Sequence, residues 1–161
     1  MLDGAIKDQQ TATADGKLTR TLLEGVTQKE VSNIITSNGA TTEIYRPEWP
    51  VGPDQIRHMI HAILRANAIS AWHIHEYQTD TIFVTQGSIK LVLFDDRPNS
   101  STRGQVNVFH LSRLRPTLTT IPPGIWHGLH NIDNAESSFI NYFDRPYVYS
   151  DPDEWRLPLD T

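Results

Sequence analysis

The stretch TIFVTQGSIKLVLFDDRPNSSTRG, residues 81–104, carries the clearest fold signal in this chain. Ile89, Leu91 and Leu93 alternate with other residues, which is the pattern of a strand with one buried face. The Gln-Gly pair between the two apolar runs predicts a hairpin turn, and DDRPNSSTRG predicts a longer loop. The stretch therefore predicts two strands joined by a tight turn.

The same kind of segment recurs along most of the chain. Short β-prone segments separated by turn residues are predicted at 56–66, 69–75, 81–86, 88–94, 105–111, 117–121, 126–131 and 137–143. About eight short strands at such spacing are typical of a β-sandwich or barrel. We therefore predict an all-β fold of the jelly-roll kind.

Length and composition limit the classes of protein to consider. The 161 residues predict one domain, and we assign residues 1–17 to a flexible tail and residues 18–161 to the domain. The absence of cysteine excludes disulfides and thiolate metal sites. A net charge of −5 argues against a nucleic-acid surface, and no apolar run is long enough to span a membrane. The N-terminus lacks the pattern of a secretory signal, so we expect a cytoplasmic protein.

Two segments that contain histidine carry the strongest chemical signal. In WHIHEYQTD, His73 and His75 stand two residues apart, so a strand presents both imidazoles on one face. Asp80 follows, and the rigid turn of IPPGIWHGLHN introduces His127. Three imidazoles and one carboxylate suit Fe(II), Mn(II), Ni(II) or Zn(II), with positions left for water or substrate.

These segments resemble the two motifs of the cupin superfamily. The pattern HxHx4Dx6G, from His73 to Gly87, resembles the first cupin motif with Asp in place of the usual Glu. The pattern PxGxxHxxxN, from Pro122 to Asn131, matches the second motif position for position. The resemblance implies a double-stranded β-helix barrel. The metal ligands that it implies are His73, His75, Asp80 and His127.

A second resemblance covers the chain from about residue 18 onward. The segments TTEIYRPEWP, AWHIHEYQTD, GSIKLVLFDDRPNSSTRG, IPPGIWHGLHNI and PDEWRLPLD resemble the dTDP-4-dehydrorhamnose 3,5-epimerase family and its shorter relatives. This resemblance implies a homodimeric jelly-roll cupin that epimerises a 4-keto-6-deoxy nucleotide sugar without a metal or other cofactor. It also implies that His73 is the catalytic base, Tyr142 the acid and Asp160 the carboxylate that orients the base. A histidine suits this reaction because its pKa lies near neutral pH.

Two departures from the family leave the mechanism open. Ser70 replaces the family's arginine that contacts the nucleotide diphosphate, and residues 78–81 offer no counterpart of the family's enolate-stabilising lysine. A divalent ion on His73, His75 and His127 could polarise the ketone in place of that lysine. His73 would then be a ligand and could not also be the base, so the two mechanisms exclude each other at this residue.

The sequence therefore favours an isomerase with a sugar or nucleotide-sugar substrate, and two alternatives stay open. One is a metal-dependent cupin, either an Fe(II) oxygenase or a metal-assisted isomerase of a small carbonyl compound, and the other is a non-catalytic sugar-binding cupin. Trp72 and Trp126 flank the histidines and are candidates for stacking against the sugar, with core packing as the alternative. The histidines expected to be structural or at the surface are His58, His61, His110 and His130.

Overall fold

The computed structural model describes residues 3–160, so Met1 and Leu2 of the predicted tail and Thr161 of the predicted domain lie outside the described residues. The strands are β1 (Thr27–Glu30), β2 (Asn33–Thr36), β3 (Gly39–Thr42), β4 (His58–Leu64), β5 (Ile69–Ile74), β6 (Asp80–Gln86), β7 (Ser88–Asp95), β8 (Val106–Ser112), β9 (Thr117–Ile121), β10 (Ile125–Asn131), β11 (Ser137–Phe143) and β12 (Trp155–Arg156). Across the described residues no helix is long and apolar enough to cross a membrane.

Ten of these strands form two five-stranded antiparallel sheets. The first sheet has the order β1-β9-β6-β11-β4, and the second has the order β12-β5-β10-β7-β8. β2 and β3 pair separately as a hairpin. β6 and β7 lie in different sheets, so the turn at Gln86-Gly87 joins the two sheets and is not the predicted hairpin, whereas β7 and β8 pair within one sheet. The all-β jelly-roll prediction is confirmed.

The main core lies between the two sheets. Ile82 and Val84 of β6 pack there with Leu91 and Leu93 of β7, and all four are almost completely buried. Along β7 half-buried and buried residues alternate at all eight positions, as the apolar alternation predicted. Burial of each such side chain stabilises the fold by about 1.5–3 kcal/mol.

The turn between β6 and β7 requires glycine. Gly87 has a φ of +72°, and a Cβ at this position would lie 2.1 Å from the Ser137 hydroxyl. That hydroxyl donates to Asn131 Oδ1 at 2.7 Å, and the Asn131 amide donates to three backbone carbonyl groups. The last residues of the two motif matches therefore stabilise the same turn: Gly87 leaves room for the Ser137 hydroxyl, and Asn131 accepts its hydrogen bond.

The short strands at either end of the chain are not predicted by the sequence pattern. β1, β2, β3 and β12 have at most four residues each, and most of those residues are exposed, so they show no apolar alternation. Backbone pairing holds β1 to β9 and β12 to β5. Every described residue of the predicted tail except Ala12 is exposed, and the flexibility of that tail stays a prediction.

Candidate active site

A cavity of about 820 Å³ opens between the two sheets. Its walls come from β4, β5, β6, β10 and β11, and its mouth is bordered by the segment that runs from Arg145 to Arg156. Apolar side chains such as Leu64, Ile82 and Phe139 line one part, and histidines with acidic residues line the other. A deep, largely apolar cavity with a few converging polar groups is the usual form of a small-molecule site.

His73 lies on the cavity wall between two polar partners. Its Nδ1 is 3.0 Å from Glu154 Oε1, and its Nε2 is 3.1 Å from the Ser70 hydroxyl. Strand β12 pairs with β5 so that Arg156 stands opposite His73, and the Arg156 guanidinium donates to the same Glu154 oxygen at 2.9 and 2.6 Å. Burial alone would raise the pKa of Glu154, but the bonds from Arg156 and His73 outweigh it and lower that pKa. An ionised Glu154 accepts the Nδ1 proton of His73.

A second group of polar residues is buried at the floor of the cavity. Nε2 of His75 and Nε2 of His127 lie 3.6 and 3.7 Å from Asp80 Oδ2. The other ring nitrogen of each histidine faces a backbone carbonyl, that of Asp153 for His75 and that of Ile125 for His127. Both free nitrogens therefore point at one carboxylate oxygen, and we call His75, Asp80 and His127 the floor triad.

Charge within the floor triad is unevenly distributed. Burial opposes a charge on His75, but the Asp80 carboxylate and the Asp153 carbonyl outweigh it and raise the pKa of His75 to about 9. Burial lowers the pKa of His127 to about 4, against the attraction of Asp80. The pKa of Asp80 is lowered by the two histidines despite its burial. Without a bound ion, the triad is an imidazolium, a carboxylate and a neutral imidazole.

Of the four predicted metal ligands, three lie close together and His73 lies apart from them. The floor triad has one potential ligand atom from each residue, and these atoms lie within 4.8 Å of one another. The His73 ring stacks on His127 with 5.8 Å between the ring centroids, but its nitrogens face Glu154 and Ser70. The structure thus brings His75, Asp80 and His127 together and holds His73 apart from them.

Tyr142 and Asp160, predicted as the acid and the orienting carboxylate, do not line the cavity. Alternation along β11 points Asn141 into the cavity and Tyr142 to the outer face of the sheet, where its hydroxyl donates to the Ile44 carbonyl at 3.2 Å. Burial there raises the pKa of Tyr142 to about 12. Asp160 is exposed in a turn after β12, and Glu154 is the carboxylate beside His73.

The two tryptophans also lie outside the cavity lining. Trp72 and Trp126 each precede a cavity histidine by one residue, so strand alternation turns their side chains away from it. Trp72 packs closely against Gly128. Their predicted contact with the sugar has no support in this arrangement.

Sequence reasoning missed Glu154, Arg156 and Asn141. Glu154 and Arg156 stand in the quoted segment PDEWRLPLD, and Asn141 directly precedes Tyr142, but the signal that would select them is three-dimensional. Glu154 reaches His73 only because β12 pairs with β5, and β12 has two exposed residues. Asn141 is distinguished from Tyr142 only by the register of β11 against its neighbours.

Comparison with known proteins identifies the family of this chain. The family model of dTDP-4-dehydrorhamnose 3,5-epimerase matches residues 20–157. This chain belongs to that family. The predicted resemblance to the family, the cupin fold and the isomerase class are thereby confirmed, and the chain is a sugar epimerase of this family.

Three relatives of the epimerase show how far the similarity extends. The probable low-salt glycan biosynthesis epimerase Agl13 of Haloferax volcanii is 32% identical over 123 residues, which are 76% of this chain and 79% of that protein. The spore coat polysaccharide biosynthesis protein SpsL of Bacillus subtilis is 35% identical over 92 residues, 57% of this chain and 61% of that protein. The crystal structure of a dTDP sugar isomerase from Desulfovibrio desulfuricans has a TM-score of 0.80 at 26% identity and covers 88% of this chain and 90% of that one.

Proposed function

We propose that this epimerase acts on a 4-keto-6-deoxy sugar linked to a nucleotide, and that His73 removes the proton next to the C4 ketone. The observation that carries the proposal is the pairing of His73 with Glu154 on the cavity wall. Because the ionised carboxylate accepts from Nδ1–H, the proton-free Nε2 is the nitrogen left to act as the base. The pair holds the imidazole in the tautomer that proton removal needs.

The reaction conserves protons and electrons without a redox partner. His73 Nε2 takes the proton from the carbon beside the ketone, the electrons of that C–H bond form a carbon–carbon double bond, and the ketone becomes an enolate. A proton from solvent then bonds to the opposite face of the same carbon through the enolate electron pair, which restores the ketone and inverts the carbon, and His73 returns its own proton to solvent. The apolar side chains of Ile60, Ala62 and Leu64 on β4 offer a surface for the methyl group of a deoxy sugar.

Hydrogen exchange tests this role. Incubation of the protein with a 4-keto-6-deoxy nucleotide sugar in deuterated water is expected to place deuterium at C3 or C5, observed by NMR. His73→Asn is expected to slow the exchange by about 10²- to 10⁴-fold. The control is His130→Asn, since His130 is a half-buried histidine of β10 outside the cavity lining. Exchange at the wild-type rate in His73→Asn would overturn the assignment of the base.

A metal-assisted form of the same reaction is the second candidate, and the floor triad favours it. Separations of 3.6 and 3.7 Å between Nε2 and Asp80 Oδ2 are too long for hydrogen bonds, whereas atoms that share an ion at about 2.0–2.2 Å each lie at such separations. Ligand histidines normally have their second nitrogen on a carbonyl or carboxylate, as both do here. The buried Asn141 Oδ1 beside them lacks a hydrogen-bond partner within residues 3–160.

His75, Asp80 and His127 would therefore hold the ion, and a bound divalent ion would polarise the ketone oxygen. Because His73 lies outside this set, the base and the ion do not compete for one imidazole. Elemental analysis of protein purified without a histidine tag tests this: we expect about one Fe, Mn, Ni or Zn per chain, lost in Asp80→Ala and retained in His73→Asn. Metal-free wild-type protein after incubation with each ion, or loss of the ion in His73→Asn, would overturn the metal-assisted candidate.

The family assignment favours these isomerase mechanisms over the oxygenase and the non-catalytic binding protein. The predicted homodimer and cytoplasmic location stay predictions. Exposed apolar residues on the edge strand β4, among them Met59 and Ile63, are the kind of surface that a second copy would cover. Sedimentation at micromolar concentration is expected to give twice the mass of the chain, and a monomer would contradict the dimer.

A further inference from the structure

Two arginines reach the cavity from the same segment of the chain. The part of the cavity lining described for residues 3–160 includes Arg145 and Arg156 and no lysine. Both follow β11, and Arg156 belongs to β12. On β5 itself, the position at which the family's arginine is expected holds Ser70, which contacts His73 instead of supplying a cation.

Arg156 stands beside the base on the neighbouring strand. It is paired across the β12–β5 ladder with His73, and its Nε and Nη2 donate to Glu154. A guanidinium has five N–H donors, so these bonds leave others for a ligand. The side chain is 65% exposed and lines the cavity, which gives a ligand access to those donors.

Arg145 is held at the mouth of the cavity by Tyr77. Its Nε donates to the Tyr77 carbonyl at 3.2 Å, and the guanidinium carbon lies 5.6 Å from the centre of the Tyr77 ring. Within residues 3–160, no hydrogen bond from another residue engages its two terminal nitrogens. Arg145 therefore presents a positioned pair of N–H groups, which is the geometry that binds a phosphate through two bonds.

Most of the acidic groups on this segment are already engaged. The Asp153 carboxylate accepts the backbone N–H groups of Glu76, Tyr77 and Gln78 at 2.7–2.9 Å. Glu154 accepts from His73 and Arg156. Asp151 also lines the cavity, and its charge opposes a bound anion.

We propose that Arg145 and Arg156 bind the diphosphate of the substrate and so take over the task of the arginine that Ser70 replaces. The inference deepens the proposed function and rests on it for the nucleotide-linked substrate. A cavity of about 820 Å³ is much larger than a monosaccharide, so the sugar can reach His73 while the diphosphate lies toward the mouth. In this proposal the phosphate site lies on the segment from Arg145 to Arg156 and not on β5.

Calorimetric titration with dTDP and with inorganic pyrophosphate tests the two arginines. Arg145→Gln and Arg156→Gln are each expected to weaken dTDP binding about tenfold or more, and the double variant by more than either. Asp151→Asn is expected to tighten binding. Arg103→Gln is the matched control, because Arg103 is an exposed arginine bonded to Asp96 and does not line the cavity.

The outcomes separate this inference from the proposed function. Equal dTDP affinity in the wild type and in the double variant, with both folded by circular dichroism, would overturn the diphosphate site, and so would a wild type that binds neither probe. Weaker binding in the arginine variants together with a failure of deuterium exchange would retain the diphosphate site and reject the proposed reaction. If deuterium exchange persists and the arginine variants bind dTDP as tightly as the wild type does, the proposed reaction is retained and the diphosphate site is rejected.

Discussion

The chemistry of the cavity depends on which His73 nitrogen has the proton. Glu154 lies 3.0 Å from Nδ1, and Arg156 keeps that carboxylate ionised by donating two hydrogen bonds to the same oxygen. The Ser70 hydroxyl faces Nε2, the nitrogen that would take the substrate proton. A single carboxylate thereby decides the tautomer of His73.

Glu154→Gln should reverse this preference. A glutamine amide can donate to Nδ1, which stabilises the tautomer with its proton on Nε2 and removes the basic lone pair from the substrate side. We expect kcat to fall by roughly 10²- to 10⁴-fold. Steady-state kinetics measure the effect, with Glu136→Gln at an exposed loop position as the control. A kcat close to that of the wild type in Glu154→Gln would contradict the role of the carboxylate.

Tyr142→Phe should leave catalysis intact and weaken the fold. Its hydroxyl bonds the Ile44 carbonyl on the outer face of the first sheet, away from the cavity. Loss of that hydrogen bond is expected to lower the free energy of unfolding by about 0.5–1.5 kcal/mol, with kcat unchanged. Urea unfolding and kinetics on the same preparation provide both values. A large loss of kcat would instead show that Tyr142 supplies the proton.

Strands that alternate in burial are predictable from sequence, and short exposed strands are not. The eight predicted strands all occur, and the largest difference is at β4, predicted at 56–66 and observed at His58–Leu64. β7 is predictable because its alternation of half-buried and buried positions follows from the alternation of residue types along the sequence. β12 is held by backbone hydrogen bonds to β5, and such bonds need no apolar alternation in the sequence.

The candidate site follows the same division. His73, His75 and His127 are found from spacing because two of them share a strand face and the third follows a rigid turn. Tyr142 is displaced by one residue from the cavity-facing Asn141, and a shift of one residue on a strand exchanges the faces. Glu154 depends on a contact between β12 and β5 that no local pattern encodes.

The end of β7 is fastened by a buried carboxylate. Asp95 is completely buried and accepts two bonds from the Arg97 guanidinium and one each from the Ser100 and Thr102 hydroxyls. The Arg97 bonds are the main reason why the pKa of Asp95 is held far below its ordinary value of 3.8. This group of bonds closes the long loop that the sequence predicted after residue 94.

Asp95→Asn should therefore destabilise the protein strongly. We expect a loss of about 3–5 kcal/mol in the free energy of unfolding at neutral pH, because Arg97 loses its partner. Since the folded pKa is depressed, the stabilisation is complete above about pH 4 and is lost as the pH falls toward the folded value. The difference in unfolding free energy between the two proteins should be constant from pH 7 to about pH 4 and smaller at pH 2.5. Asp96→Asn, in an exposed pair with Arg103, is expected to cost less than about 1 kcal/mol.

On the scale of the whole molecule, one part of the space between the sheets is packed core and another part is cavity. Apolar side chains fill the first part, and the floor triad with Asn141 borders the second. Polar groups buried at such a floor contribute little net stability, because removal from water offsets their attraction. These polar residues thus occupy positions that a maximally stable barrel would fill with apolar side chains.

A double-substitution cycle at His75 and Asp80 measures how far their attraction offsets the cost of burying them. In the presence of EDTA, His75→Leu is expected to lower the free energy of unfolding by about 3–5 kcal/mol, because it leaves the Asp80 carboxylate buried without its cation. Adding Asp80→Leu removes the stranded charge and should restore at least half of that loss. Urea unfolding of the four proteins provides the coupling energy, and purely additive losses would contradict this account of the floor.

The buried polar floor also determines how this chain would respond to laboratory selection. Selection of a variant library for heat resistance alone would enrich sequences with apolar residues at His75, Asp80, His127 and Asn141, provided that one sequence contains all four replacements. Selection for turnover would retain these four polar residues, and stabilising substitutions would then be found in the exposed strands and loops. Sequences recovered from the two selections should therefore diverge first at the floor of the cavity.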